Sequence, residues 1–282
     1  MKRLIKAGFK SLGLQVSRID STIVIPKPTA GPATFRCTGI DWNEPFVDSF
    51  IGGPLSAYRS EYDSFRRDPV NGTAQYFSNN PYFGFVDAAV SYSFIRDRRP
   101  GVVVEIGSGH SSRVIRAALE RNGSGRLVCI DPSPTVRIDS VCHEHRQIGV
   151  EEIPLDWFKA LPPDSILFID SSHQAGTGSD VNFLMLEVLP ELQPGVLIHV
   201  HDIYLPDDYP TRWNIDRKFN YSEQYLLHAL LCFSRGFRVV WPGRWVLLNR
   251  ESELSRLMPS GEKPQRHCSF WLERRDGPTD PS

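Results

Sequence analysis

The chain has 282 residues, enough to bury a substantial core in one large α/β domain with an appendage. Its 32 Lys plus Arg against 33 Asp plus Glu leave a formal net charge of −1, so no overall field draws it to nucleic acid or to an anionic membrane surface. Five cysteines, Cys37, Cys129, Cys142, Cys232 and Cys268, lack C-x-x-C spacing, which suits free thiols in a reducing cytoplasm. No apolar stretch reaches membrane-spanning length, and the basic start at Met1 builds no signal-peptide core.

In chain order, residues 1–80 carry Pro26, Pro28, Pro32, Pro45 and Pro54 and no sustained period, and are expected to form an irregular N-terminal extension with short helices. Within it, Leu4, Ile5, Phe9, Leu12 and Leu14 with interleaved lysines fit a short amphipathic helix. From residue 81 the pattern tightens: Val86, Ala89, Val90, Tyr92, Phe94 and Ile95 predict a helix that runs through Pro100-Gly101 into a first strand over 102–106. A helix over 112–122, strands over 126–130, 147–153 and 165–169, a helix over 181–189, a strand over 196–200, a helix over 222–234 and a strand over 237–241 follow. A last extended piece, 268–272, is expected to return antiparallel at the sheet edge, and 276–282 to be a disordered tail. The alternation predicts a doubly wound, mostly parallel, seven-stranded α/β sheet over 81–275, with ligands at the carboxyl ends of its strands.

The first strand, Val102-Val103-Val104-Glu105-Ile106, breaks into Gly107-Ser108-Gly109, a turn that lets a ligand approach the backbone closely and aims the next helix's free N–H groups at it. The pattern reads G-x-G-x-x-S. Ser112 stands where a dinucleotide fingerprint has its third glycine, which argues against NAD or FAD. Glu105 ends the first strand, where it could accept from an ammonium or simply cap the turn. Asp131 ends the next strand, where it could accept both hydroxyls of a ribose. The pair fits an adenosyl ligand without phosphates.

Glu105-x-Gly107-x-Gly109 and Asp131 are similar to the cofactor motifs of class I S-adenosylmethionine-dependent methyltransferases. The series continues in Phe168-Ile169-Asp170-Ser171-Ser172-His173, Leu189-Pro190 and Pro194-Gly195-Val196, His199-Val200-His201-Asp202, Asn214, Glu223-Gln224-Tyr225 and Ser269-Phe270-Trp271, and resembles the bacterial small-molecule and glycan-type branch. The resemblance implies a Rossmann-like methyltransferase fold and S-adenosylmethionine as cofactor. Glu105, Gly107, Ser108 and Gly109 would flank the methionine portion, Asp131 would grip the ribose, and Pro132 and Ser133 would lie along the adenosine. Glu151 or Glu152 would approach the adenine, with Glu152 taken as the candidate. Asp170 and Ser171 would stand where cofactor and acceptor meet.

Methyl transfer needs alignment and a base for a poorly acidic acceptor, so His173, His201 and Asp202 are the catalytic candidates. If Asp170, His201 and Asp202 converge, a divalent metal ion is also conceivable, but a histidine where an acid is usual disfavours magnesium. His199 reads as a core histidine, and His143 and His145 as a solvated face. His110 could touch the acceptor or stay in solvent; Tyr82, Phe83 and Asp87 could close the acceptor side; and Asp207–Trp213 could form a lid or a plain loop. The expected activity is methyl transfer to an oxygen of a small molecule or sugar. The alternatives are a non-catalytic cofactor-binding member and a nicotinamide-dependent oxidoreductase.

Overall fold

A computed structural model describes residues 34–134, 136–210, 213, 219–259 and 267–276. The expected amphipathic helix near the N-terminus, the tail beyond 276 and Asn214 lie outside the described residues. Chain contacts divide the protein into two units, Met1–Gly31 and Pro32–Ser282, and the sheet belongs to the second.

Two early helices, α1 (Glu44–Phe50) and α2 (Phe85–Arg98), precede the sheet. Helix α2 is buried almost all round, from Phe85 to Ile95, which is why its apolar residues follow no single stripe. The strands are β1 (Val102–Ile106), β2 (Arg126–Ile130), β3 (Glu144–Arg146), β4 (Ile166–Ile169), β5 (Leu197–Val200), β6 (Phe237–Pro242) and β7 (Phe270–Arg274). Helix α3 (His110–Asn122) joins β1 to β2, and α4 (Glu223–Phe233) precedes β6. The order across the seven-stranded sheet is β3-β2-β1-β4-β5-β7-β6, with β7 antiparallel to both β5 and β6 and the remaining pairs parallel. This is the doubly wound α/β sheet expected from the alternation of elements.

Two expectations are corrected. The antiparallel strand β7 lies between β5 and β6 and not at the edge, so Phe270, Trp271 and Leu272 are fully buried. The third strand is Glu144–Arg146 and not 147–153; Val150–Glu152 instead forms a 3-10 turn that drops Val150 and Ile153 into the core. A strand with a single neighbour can carry charged residues, and apolar patterning does not reveal it.

Because alternate strand residues point to opposite faces, the sheet separates two cores. On one face Val103, Leu127, Cys129, Ile166 and Phe168 pack against α2 and α3 through Ala88, Ala89, Val114, Ile115 and Ala118. On the other, Val104, Ile106, Ile130, Leu167 and Ile169 pack against Val181, Leu184, Val188 and Leu227. Val47, Phe50, Leu55 and Tyr62, from the segment expected as an extension, are part of the first core, and the Phe50 ring stacks on Phe94 at 4.1 Å between centroids.

Candidate active site

The β1–α3 turn is set by a close approach. Gly107 has φ 77°, and a Cβ there would lie 2.0 Å from the Asp170 carbonyl oxygen, because the Asp170 backbone crosses directly beneath as β4 ends. The Gly107 N–H donates to Ile130 O and the Asp170 N–H to Ile106 O, which knits together the exits of three neighbouring strands. Asp131 braces the turn from the side: Oδ2 accepts the Ser108 N–H at 2.6 Å and Oδ1 the Ser133 N–H at 2.7 Å. Gly109 donates its N–H to Ser112 Oγ at 3.0 Å, and α3 begins at His110, two residues before its expected start.

A cavity of about 720 Å³ opens at these carboxyl ends. Gly107, Asp131, Pro132, Glu151, Asp170 and Ser171 are in its wall. Ser108, Gly109 and Ser133 are not in the lining; their backbone N–H groups donate to Asp131, Ser112 and Asp131 in turn. Glu152 is outside the lining, with Oε1 accepting the Gly149 N–H at 3.0 Å; Glu151 is the acid that faces the cavity.

Glu105 is also outside the lining, for a reason that lies in strand alternation. Glu105 shares its face with Val103, so its side chain enters the α3 side of the sheet and not the cavity. There it is fully buried and accepts the hydroxyls of Ser111 at 2.6 Å and Ser112 at 2.5 Å, with the Cys129 thiol at 3.3 Å. Burial pushes its carboxyl up to about 7 against the pull of these three donors.

Beyond Asp170 the three predicted catalytic residues do come together. His173 Nε2 lies 3.2 Å from Asp170 Oδ1 and 3.8 Å from Asp202 Oδ2, while Nδ1 meets Glu223 Oε2 at 2.8 Å. His201 Nδ1 faces Asp170 Oδ1 at 3.5 Å and Asp202 Oδ1 at 3.7 Å. His173 and Asp202 both adopt left-handed backbone torsions, φ 60° and 54°, which are strained for residues with a side chain. Burial opposes charge on His173, but its bonds to Asp170 and Glu223 raise it to about 10. His201 is likewise held well above the usual imidazole range, against its burial, by Cys268 and by the Asp170 and Asp202 carboxylates. Burial would raise Asp170, yet the two imidazoles hold its carboxyl far below the ordinary range.

Glu223, fully buried at the start of α4, is a member of this cluster whose contact with His173 sequence reasoning missed. Its second oxygen accepts the Ser171 hydroxyl at 3.1 Å, so it fixes both residues that follow β4. Asp87, which sequence reading placed with Tyr82 and Phe83 as a residue that could close the acceptor side, reaches His201 and His267 from α2. His199 is the expected core histidine, its ring stacked on Phe168 at 3.7 Å and Nε2 bonded to Ser269 Oγ. Its surroundings, burial first and His201 next, hold it far below the usual range.

His110 is buried between the Phe77 and Tyr82 rings and not in solvent. His143 is exposed, as expected of a solvated face, and its Nδ1 also accepts the Leu127 N–H; His145 is half-buried in β3. In the segment after β5, Arg244 grips Asp207 Oδ2 at 2.6 Å and Tyr209 is buried among aromatic rings, so the described part of the expected lid is tied to the body. Among the described residues no helix is long and apolar enough to cross a membrane.

Residues 104–203 match a family model described as a methyltransferase domain. No curated protein sequence matches the chain. Similar solved structures include the O-methyltransferase TomG from Streptomyces achromogenes, involved in tomaymycin synthesis, at 16% identity and TM-score 0.41, covering 84% of this chain and 97% of that one. A putative methyltransferase from Thermobifida fusca is similar at 13% identity and TM-score 0.43, covering 85% and 97%. An O-methyltransferase from Bacillus cereus is similar at 13% identity and TM-score 0.37, covering 98% and 100%. The matched segment spans β1 to the end of β5, and with it the glycine turn, Asp131, Asp170, His173, His201 and Asp202. Over this segment the chain is similar to a methyltransferase domain.

Proposed function

We propose that the protein transfers a methyl group from S-adenosylmethionine to a hydroxyl oxygen of a small molecule or sugar. The observation that carries this reading is one continuous site: a cavity of about 720 Å³ with bare backbone at Gly107 and acids at Asp131 and Glu151, ending at Asp170 beside the His173–Glu223 pair. That size is within the range of cofactor pockets. Asp131 spends one lone pair of each oxygen on a backbone N–H and keeps acceptor capacity for a ribose hydroxyl. Glu151, which faces the cavity, would accept from the adenine amino group in this reading. The residues present fit the cofactor, which, when bound, supplies a methyl group on a positively charged sulfur.

His173 is the base in this reading. Glu223 fixes Nδ1 and leaves Nε2 facing Asp170, at the end of the cavity. In the free protein the surrounding carboxylates keep this imidazole protonated, so it must lose its proton before it can act. Asp170, in the cavity wall, would be shared with the cationic cofactor when bound, and its hold on the His173 imidazolium would weaken. His173 would then release its first proton to solvent and, as neutral imidazole, take the proton of the acceptor hydroxyl. Asp202 and His201 orient the acceptor from the β5 side. The base is thereby readied only when the cofactor side is filled.

Incubation with methyl-labelled cofactor and a panel of phenols and sugars, read by mass spectrometry, tests this. Label on an acceptor oxygen is expected. Label on nitrogen, or cofactor binding with no transfer to any acceptor, contradicts the reading.

A further inference from the structure

A second cluster lies behind the catalytic groups. Asp87 on α2, His201 after β5 and Cys268 before β7 each offer one atom, and the three atoms lie within 4.8 Å of one another. All three residues are at least nine-tenths buried, at 1%, 3% and 5% exposure. His201 Nε2 faces Asp87 Oδ2 at 3.9 Å and Cys268 Sγ at 3.9 Å, and hydrogen-bonds closely to neither. Ligand atoms around a tetrahedral zinc ion stand roughly 3.3 to 3.8 Å apart, given bond lengths of about 2.0 to 2.3 Å. Ion binding therefore requires a closure of a few tenths of an ångström on these two edges and of up to about 1 Å on the Asp87–Cys268 edge.

The support of Asp87 has the character of a ligand shell. Its Oδ1 accepts the Ser269 N–H at 3.0 Å, the Cys268 N–H at 3.3 Å and His267 Nδ1 at 2.7 Å, which leaves Oδ2 turned to His201. Trp241 donates its indole N–H to His267 Nε2, so the His267 proton sits on Nδ1 and is given to Asp87. A carboxylate with one oxygen locked by three donors and the other turned to an imidazole is oriented as outer-shell bonds orient metal ligands, and the Cys268 thiol donates to Asp202 Oδ1 at 3.1 Å, a bond that ion binding would replace. The geometry points to a site for one zinc-class divalent ion held by Asp87 Oδ2, His201 Nε2 and Cys268 Sγ. Thiolate and imidazole select a borderline ion over magnesium. Binding forms one bond from the ion to each of the three atoms and releases two protons to solvent, one from the thiol and one from the His201 imidazolium, which frees Nε2; thiolate and carboxylate then balance the two charges of the ion.

This donor set differs from the Asp170, His201 and Asp202 set anticipated from sequence. Among the described residues the grouping with ligand atoms this close is the one containing Asp87 and Cys268, which come from α2 and the start of β7. Three protein ligands leave one position for a substrate oxygen. That last role rests on the methyltransferase reading; ion binding does not.

The test is metal content and cobalt spectroscopy on the full chain. Protein stripped with a chelator and supplied with zinc is expected to retain one ion per chain by mass spectrometry, and the cobalt form is expected to have a thiolate charge-transfer band in the near ultraviolet. Cys268→Ser should abolish the band and weaken zinc binding by at least about a hundredfold, since even outer-shell changes cost 10 to 100-fold. Cys232→Ser, a half-buried thiol on α4, should leave both intact. Absence of the band in the unaltered chain, zinc retention below one-tenth of an ion per chain, or a band that survives in Cys268→Ser overturns the proposal. Should Cys268→Ser not fold, Asp87→Asn and the unaltered cobalt spectrum decide. Zinc retained by a protein that fails to bind S-adenosylhomocysteine would sink the methyltransferase reading and leave the ion site standing.

Discussion

Gly107→Ala is expected to be among the most damaging single-methyl changes in this chain, and a second glycine allows the reason to be isolated. Gly107 and Gly123 have nearly the same backbone, φ 77° and 69°, so alanine at either carries the strain of a left-handed L-residue, about 1 to 2 kcal/mol. At Gly123, which closes α3, nothing lies within 4 Å of the added Cβ. At Gly107 the Cβ would sit 2.0 Å from the Asp170 carbonyl oxygen, more than 1 Å inside ordinary contact, and that atom is backbone at the exit of a central strand. The clash cannot be relieved by turning a side chain. It must push β1 and β4 apart at the point where Gly107 N–H and Asp170 N–H hold the strand ends, which adds roughly 1 to 3 kcal/mol of overpacking. Urea denaturation should thus give a loss of about 1 to 2 kcal/mol for Gly123→Ala and about 2 to 5 kcal/mol for Gly107→Ala, with cofactor affinity reduced only in the latter. Equal losses in the two variants, or full cofactor affinity in Gly107→Ala, would refute the claim that the close approach shapes the site.

Glu223→Gln should separate positioning from chemistry. Glu223 raises His173, so kcat/KM is expected to climb towards pH 10 in the unaltered protein, and in the variant that limb should move down by at least about one unit while the plateau kcat falls roughly tenfold; an unmoved limb would mean that His173 is not the base. Glu105→Gln should change stability with pH. With its folded carboxyl near 7 and its unfolded one near 4.5, Glu105 carries no penalty below pH 4.5 and a growing one as pH rises through 7, approaching about 3 kcal/mol. The variant should therefore gain on the unaltered chain between pH 5 and pH 8 in urea denaturation, and a gap that does not vary with pH would contradict the buried-acid assignment.

The parallel core was legible because β1, β2, β4 and β5 are apolar runs buried on both faces and bounded by turn residues. The edge strand β3 was not, since Glu144-His145-Arg146 has one neighbour and no apolar alternation. Nor was the insertion of β7 between β5 and β6, because the order of strands in the chain does not dictate their order in space. At the site, the turn and the acids after β2 and β4 could be read directly. Which face takes α3 could not, and that choice sends Glu105 beneath the Ser111 and Ser112 hydroxyls in place of the cavity. Glu223 and Asp87 meet His173 and His267 from positions 50 and 180 residues away, contacts that no local spacing encodes.

The most direct measurement is calorimetric titration of the intact protein and of Asp131→Asn with S-adenosylhomocysteine. One site per chain is expected, with affinity reduced by about 10 to 100-fold in the variant, the equivalent of a hydrogen bond to a charged acceptor worth roughly 1.5 to 3 kcal/mol. No binding to the unaltered protein, or equal affinity in Asp131→Asn, would contradict the account.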